Sequence, residues 1–219
     1  MRSEGVVLSR KLLGNGLRSL TIYTERLGKV NALVKVERGD FPLKYEPFSI
    51  SLFNFKFKGD RVEVDGAALV KPIFPTDLPK LKYLFKISSL LSGLSLPQNG
   101  KLYALLKSYL EVGKDYEVAF LMFLSKLLFL EGIFPQLSRC VKCSSKDFTF
   151  FSPEEGGVLC SRCAKENKLL FSWSRESSKL LLKLTKKPFK EVSQELSTQE
   201  RRDLGKLLQP LTEHLKRYS

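Results

Sequence analysis

The chain has 219 residues, 43% of them hydrophobic, enough to bury one large core or two small ones. Lys and Arg number 37 against 23 Asp and Glu, a net charge of +14. Basic residues outnumber acidic ones by 13 to 9 over 1–79, 8 to 4 over 80–139 and 13 to 7 over 164–219, with 3 of each over 140–163; this spread excludes a basic tail on a neutral protein and suits a polyanionic partner, whose condensed counterions are released on binding.

At the N-terminus, Glu4 and Arg10-Lys11 interrupt the chain before an apolar export segment can form, so the expected setting is cytoplasmic and reducing. Val6-Val7-Leu8 reads as a short buried strand, and Gly14-Asn15-Gly16 as a turn. Leu20 and Ile22 alternate with Thr21 and Tyr23, and Val30, Ala32, Val34 and Val36 alternate with Asn31, Leu33 and Lys35, a period of two. The turn between these strands is Glu25-Arg26-Leu27-Gly28. Phe48, Ile50 and Leu52 keep one phase and Phe53, Phe55 and Phe57 the other, which predicts a bulge or bend near Leu52-Phe53. Lys58-Gly59-Asp60 turns the chain into Val62 and Val64. Five short, tightly connected strands fit a small closed barrel such as an OB-fold, with an open sheet as the alternative.

From about Pro75 the period becomes helical. Leu78 to Leu91 and Leu102 to Leu110 form two helices, separated by Gly93 and the 97–100 stretch. A third, about Lys114 to Glu131, is apolar on nearly every side and is expected at the centre of its domain, with Gly132 at its C-terminal cap. Its apolar core, broken by Glu117 and Lys126, is too short to span a bilayer. Ser178 to Lys187 stops at Pro188, Ser197 and Glu200 have the form of a capping box, and Pro210 is expected to kink or break the last helix. The domains read as 1–74, a barrel; 75–139 with 164–219, an α-helical domain; and 140–163, an insertion.

That insertion holds the sharpest chemical signal. Cys140-x-x-Cys143 and Cys160-x-x-Cys163 stand 16 residues apart; each pair can bind one ion from a tight turn, and two turns complete the S₄ shell that Zn²⁺ accepts. Four thiolates close that shell, so the zinc expected is structural; four buried free thiols are the alternative. Gly156-Gly157 supplies the turn between the pairs, and Phe148, Phe150 and Phe151 a small core.

The candidate DNA contacts are Arg10, Lys11, Arg18, Arg26, Lys29, Lys35, Arg38 and Lys44, at strand ends and loops of the barrel. Barrels that hold single strands pair a basic groove with aromatic platforms. Tyr23 and Tyr45 stand open between that role and the core, whereas Phe53, Phe55 and Phe57 are read as core. No phosphate loop, dinucleotide fingerprint or acidic cluster for Mg²⁺ is present, and His214 is read as a helix-surface or packing residue, so the chain reads as a binding protein and not as an enzyme.

The residues from Gly132-Ile133-Phe134-Pro135-Gln136-Leu137 through Cys140 and Cys143, then Phe151-Ser152-Pro153 and Gly156-Gly157 before Cys160 and Cys163, resemble the zinc region of bacterial RecO. Gly5-Val6-Val7-Leu8, Leu20-Thr21-Ile22-Tyr23-Thr24-Glu25 before Gly28-Lys29, Pro47-Phe48 and the closing Leu211-Thr212-Glu213-His214-Leu215 are similar too, so the resemblance covers nearly the whole chain. It implies an α+β protein with an N-terminal OB-fold, a helical domain and a structural zinc ribbon. It also implies binding of single- and double-stranded DNA, annealing of complementary strands, and work with RecR, and in some settings RecF, to help RecA load during recombinational repair in the cytoplasm. A groove for the C-terminal tail of single-strand-binding protein is implied, and neither a membrane nor a small-molecule substrate is. The loop from Val36 to Lys44 departs from the family by being short and carrying two acids. A basic zinc-ribbon protein that binds structured RNA or ribosomes is the other function weighed; preference for A-form duplex would mark it.

Overall fold

The computed structural model describes residues 1–36 and 42–218, and of Glu166 the backbone alone. Contacts divide the chain into two compact units, Met1–Lys114 and Asp115–Ser219.

In the first unit, β1 (Arg2–Gly14), β2 (Leu17–Thr24), β3 (Gly28–Lys35), β4 (Ile50–Lys58) and β5 (Arg61–Lys71) close into a barrel in the order β1-β2-β3-β5-β4. All neighbours are antiparallel except β3 and β5, the arrangement of an OB-fold. Val7, Leu20, Ile22, Val30, Ala32, Val34, Phe53, Phe55 and Val64 fill the interior, with Tyr45 among them. Asn15-Gly16 and Gly59-Asp60 make the two tight hairpin turns, where positive φ at Asn15 (50°), Gly16 (73°) and Gly59 (57°) matches the twist of the flanking strands.

The expected irregularity near Leu52-Phe53 lies elsewhere. The β4 residues pair in sequence, whereas β5 skips Val70 between Lys71 and Leu69, and Asp65 between Gly66 and Val64; the extra residues are in β5. Nor do the side chains of β4 switch faces. Phe53 and Phe55 point into the barrel, while Phe48 and Ile50 are buried on its outer side, where the Phe48 ring meets Phe85 edge-on at 5.3 Å. A helix that reaches the start of this strand, through Phe85 against Phe48, removes the need for a bulge in β4.

That helix is α1 (Leu78–Ser92), capped by the Asp77 carboxylate, which accepts from the Lys80 amide at 2.7 Å. It is followed by α2 (Gly100–Leu110), whose cap Asn99 accepts from the Lys101 and Leu102 amides, each at 3.1 Å. The Tyr103 hydroxyl and the Lys107 ammonium of α2 both donate to the Glu4 carboxylate of β1, at 2.9 and 2.6 Å. Gly28 is required where the 96–98 segment crosses the barrel: its φ is +70°, and a Cβ there would stand 2.5 Å from the Pro97 carbonyl carbon.

In the second unit, α3 (Tyr116–Leu130) is the central helix, buried continuously from Val118 to Ser125 and again at Leu127 and Leu128. Its end is a Schellman motif: the Gly132 amide (φ +71°) donates to the Phe129 carbonyl and the Ile133 amide to that of Leu128. Around it lie α4 (Arg175–Lys186), α5 (Phe189–Glu195) and α6 (Thr198–Lys216). The short α5 has no counterpart in the sequence reading. The capping box of α6 forms, with the Ser197 hydroxyl accepting from the Glu200 amide at 3.2 Å and the Glu200 carboxylate from the Ser197 amide at 2.8 Å. The helix runs unbroken through Pro210, which is buried. Between α3 and α4, β6 (Phe150–Ser152), β7 (Gly157–Leu159) and β8 (Phe171–Ser172) form a small sheet in the order β7-β6-β8. Among the described residues, no helix is long and apolar enough to cross a membrane.

Candidate metal centre and nucleic-acid interface

Two tight turns present the four cysteines. In the first, the Cys140 amide donates to the Ser145 carbonyl at 2.8 Å and the Ser144 amide to that of Cys140 at 2.9 Å, with Ser144 in the left-handed region at φ 58°. In the second, the Ala164 amide donates to the Cys160 carbonyl at 3.0 Å, and the chain enters a 3₁₀ turn at Cys163. Ladder bonds bring the turns together, including Val141 amide to Val158 carbonyl at 3.0 Å and Thr149 amide to Leu159 carbonyl at 3.1 Å. Cys140 and Cys160 are buried with Leu159 and Ala164, and Phe150 packs against them. Phe151 faces the other way, against Trp173 at 4.8 Å and the buried His214 at 6.0 Å.

All four Sγ atoms lie within 4.8 Å of one another, with Cys143 and Cys160 at 3.7 Å. A tetrahedral shell with Zn–S bonds of about 2.3 Å places its sulfurs about 3.8 Å apart, so the donor set fits such an ion without rearrangement of the fold. The electrostatics agree. Burial pushes the Cys140 thiol up, but hydrogen bonds from the backbone at Cys160, Cys143 and Lys142 outweigh it and bring it down to about 6. Cys163, beside the sulfurs of Cys160 and Cys143, is pushed up to about 12. Four sulfurs this close repel as thiolates, and a divalent cation is what allows all of them to ionise.

The basic residues of the barrel separate into three groups. Arg10 and Arg18 stand at the end where β1 turns into β2, and both donate to Glu46 Oε1, at 2.7 and 3.1 Å. Two guanidinium groups on one carboxylate leave a surplus positive charge. Lys11, opposite Ser19, and Lys35, opposite Leu17, are exposed at the same end, and neither has an ion-pair partner among the described residues. Lys44 lies nearby over the Tyr45 ring, 5.0 Å from its centroid. Arg26 is exposed at the β2–β3 turn, at the other end of the strands. Lys29 turns inwards: its ammonium donates to the carbonyls of Ser92, at 2.8 Å, and Leu94, and burial pulls its pKa below 10.5. Arg38 lies outside the described residues.

Two other lysines behave like Lys29. Lys80 donates to the carbonyls of Leu110, at 2.6 Å, and Val112; Lys126 donates to those of Thr185 and Lys187, at 2.6 and 3.0 Å. Each of these buried or half-buried ammonium groups thus satisfies carbonyls at the end of a neighbouring helix, and desolvation lowers the pKa of each. Part of the positive charge is therefore internal scaffolding. Sequence spacing carries no signal of this, because the partners are 30 to 65 residues away.

Neither tyrosine is a surface platform. Tyr23 is fully buried, with its hydroxyl 3.3 Å from the Pro97 carbonyl, and Tyr45 is in the barrel core. Phe57, read as core, is instead 54% exposed at the β4–β5 tip, since the barrel interior ends before its position. The β1–β2 hairpin exposes three leucines that the sequence reading did not single out: Leu12, Leu13 and Leu17, the first at 64%. Apolar residues flanking a Gly-Asn-Gly turn were the available signal. His214 is a packing residue, with Nε2 2.7 Å from the Ile133 carbonyl.

Fold and site together define an OB-barrel protein with a cationic barrel end and a tetracysteine ribbon set among helices. Residues 75–218 match the family described as Recombination protein O C terminal. The DNA repair protein RecO of Caldicellulosiruptor saccharolyticus is 30% identical over 184 residues, covering 78% of this chain and 75% of the relative. That of Caldicellulosiruptor bescii is 30% identical over 181 residues (77% and 74%), and that of Alkaliphilus metalliredigens 30% over 177 (74% and 72%). The chain belongs to the RecO family of DNA repair proteins.

Proposed function

We propose that the chain is a recombination mediator without enzymatic activity: it binds single- and double-stranded DNA at the barrel, anneals complementary strands without a nucleotide cofactor, and helps RecA load together with RecR. The observation that carries this is the barrel end itself, where exposed Lys11 and Lys35 flank the Arg10–Arg18–Glu46 cluster beside exposed leucines. The cations take phosphates, and Phe57 and the hairpin leucines offer apolar contact to bases in place of the buried tyrosines. Strands held with their charge neutralised approach each other, and base pairing then supplies the free energy. Cys140, Cys143, Cys160 and Cys163 hold a structural zinc ion, the barrel over 1–74 and the ribbon over 140–163 act as separate functional parts, and single-strand-binding protein, RecF and RecA are partners at the nucleoid.

The test is annealing of two complementary labelled oligonucleotides by zinc-loaded protein across a salt series. Annealing should be fast at low salt and fade steeply, because log K for single strands falls by about 0.7 per neutralised phosphate for each decade of salt. Lys11→Glu with Lys35→Glu should weaken DNA affinity about tenfold and flatten that slope by about 1 to 2. No acceleration at low salt by folded, zinc-loaded protein overturns the reading.

A further inference from the structure

The second unit holds a cleft of about 440 Å³ that neither the cysteine cluster nor the barrel end accounts for. One wall belongs to the first cysteine turn: Arg139 directly precedes Cys140, Lys146 follows the residue whose carbonyl accepts from the Cys140 amide, and the half-buried Phe148 comes two residues later. Facing it, Arg175 and Lys179 stand four residues apart on α4 and so on one side of that helix. Leu137, buried, lies between the walls. The buried Ser178 hydroxyl beneath them accepts from the Trp173 indole at 3.0 Å and donates to the Leu137 carbonyl at 3.2 Å, so the floor's polar groups are already satisfied.

The lining therefore combines an apolar floor, one aromatic ring and four cations. Among the described residues, only Arg175 of the four has an ion-pair partner, Asp147 at 3.1 Å, whose carboxylate is almost fully exposed; such a pair yields readily to a stronger anion. Glu176 lies beside Arg175 in sequence and does not line the cleft. Cations of this number around a single ring match phosphates on either side of a stacked base, the pattern by which single strands are held without sequence preference. The volume is that of a site for a small ligand or a nucleotide or two.

We infer that this cleft is a second nucleic-acid site, holding a short single-stranded segment with one base against Phe148 and its flanking phosphates on Arg139, Lys146, Arg175 and Lys179. The inference rests on the strand-annealing reading above and extends it: a chain that pairs two strands gains by holding one at the barrel and the other here. It also gives the cysteine cluster a function beyond stability, because the first cysteine turn sets Arg139 and Lys146 in place.

The test uses the full zinc-loaded chain with hexathymidylate carrying a single 5-iodouracil, followed by anisotropy at low salt and by mass spectrometry of the photocrosslink. A crosslink in the peptide containing Phe148 is expected. It should persist in the Lys11→Glu, Lys35→Glu variant and vanish in Arg139→Glu with Lys179→Glu, two exposed positions whose change should leave zinc content intact. That cleft variant, and separately Phe148→Ala, should slow annealing about tenfold. Crosslinks confined to barrel peptides, with cleft variants annealing at the wild-type rate, overturn the cleft and leave the proposed function standing. An acidic peptide that binds wild type and not the cleft variant, with hexathymidylate binding equal in both, overturns it in favour of a protein ligand. Absence of oligonucleotide binding at any position overturns the annealing reading, and the cleft with it.

Discussion

The barrel is built from strands of eight to thirteen residues around ten buried side chains, whereas the ribbon has strands of three, three and two residues, with Phe151 and Val158 buried on one side and, on the cysteine side, a cluster of four buried residues, two of them cysteines. Burial of each large apolar side chain contributes about 1.5–3 kcal/mol, so the barrel has ample drive to close by itself. The cysteine side of the ribbon has little such drive, and four sulfurs gathered within 4.8 Å repel one another once ionised unless a cation draws them together. With a metal ion at the four sulfurs, as proposed above, one region is held by its apolar pattern and the other largely by its donor atoms, and the two should therefore fail under different insults.

The largest effect expected is at the cysteines. Chelation, or Cys143→Ser, should release near-stoichiometric zinc and abolish hydrogen-exchange protection over residues 140–172 while barrel amides stay protected; structural zinc sites of this kind contribute about 10 kcal/mol or more of binding free energy. Persistent protection of the ribbon without metal would break the comparison. Next comes Phe53→Ala in the barrel core, with an expected loss of about 3–5 kcal/mol in urea unfolding and no change in zinc content. A smaller loss, about 1–3 kcal/mol, is expected for Lys80→Met, which keeps the apolar stem but leaves the Leu110 and Val112 carbonyls without their donor. Equal stability of the variant would reduce that ammonium to a bystander.

The smallest effect concerns the α6 capping box, where Ser197→Ala should cost about 1 kcal/mol. The Glu200 carboxyl is held below 4.5, first by the backbone amide of Ser197 and then by Lys183 and the Ser197 hydroxyl. Its contribution is therefore present in full above pH 4.5 and is lost as pH falls through the lower, folded value. Acid titration of wild type against Glu200→Gln should show the two stability curves converging below that point; curves that stay parallel would remove the carboxylate from the account.

Much of this was legible in the residues. Alternation at 20–23 and 30–36 placed β2 and β3, the 16-residue spacing of the cysteine pairs placed the cluster, and Gly132, Ser197 and Glu200 marked helix ends correctly, because each signal acts between neighbours in the chain. Errors arose where a distant element covered a surface. Phe48 and Ile50 are buried opposite to Phe53, with Phe48 covered by Phe85 of α1, and Tyr23 is hidden beneath the 97–99 segment. An alternating pattern reports that a side chain is buried on one face of a strand, but not whether the other face is buried as well. Pro210 was expected to disturb α6, yet the helix continues through it with Pro210 in the core.

The sequence by itself determined the strand and helix periods, the turns, the cysteine quartet and the overall positive charge, all of which depend on residue type and short spacing. Only the tertiary structure decided which cations face water. Lys29, Lys80 and Lys126 bind helix-end carbonyls, Arg10 and Arg18 share Glu46, and Lys11 and Lys35 stand exposed; an ammonium's role is set by the acceptor within about 3 Å of it.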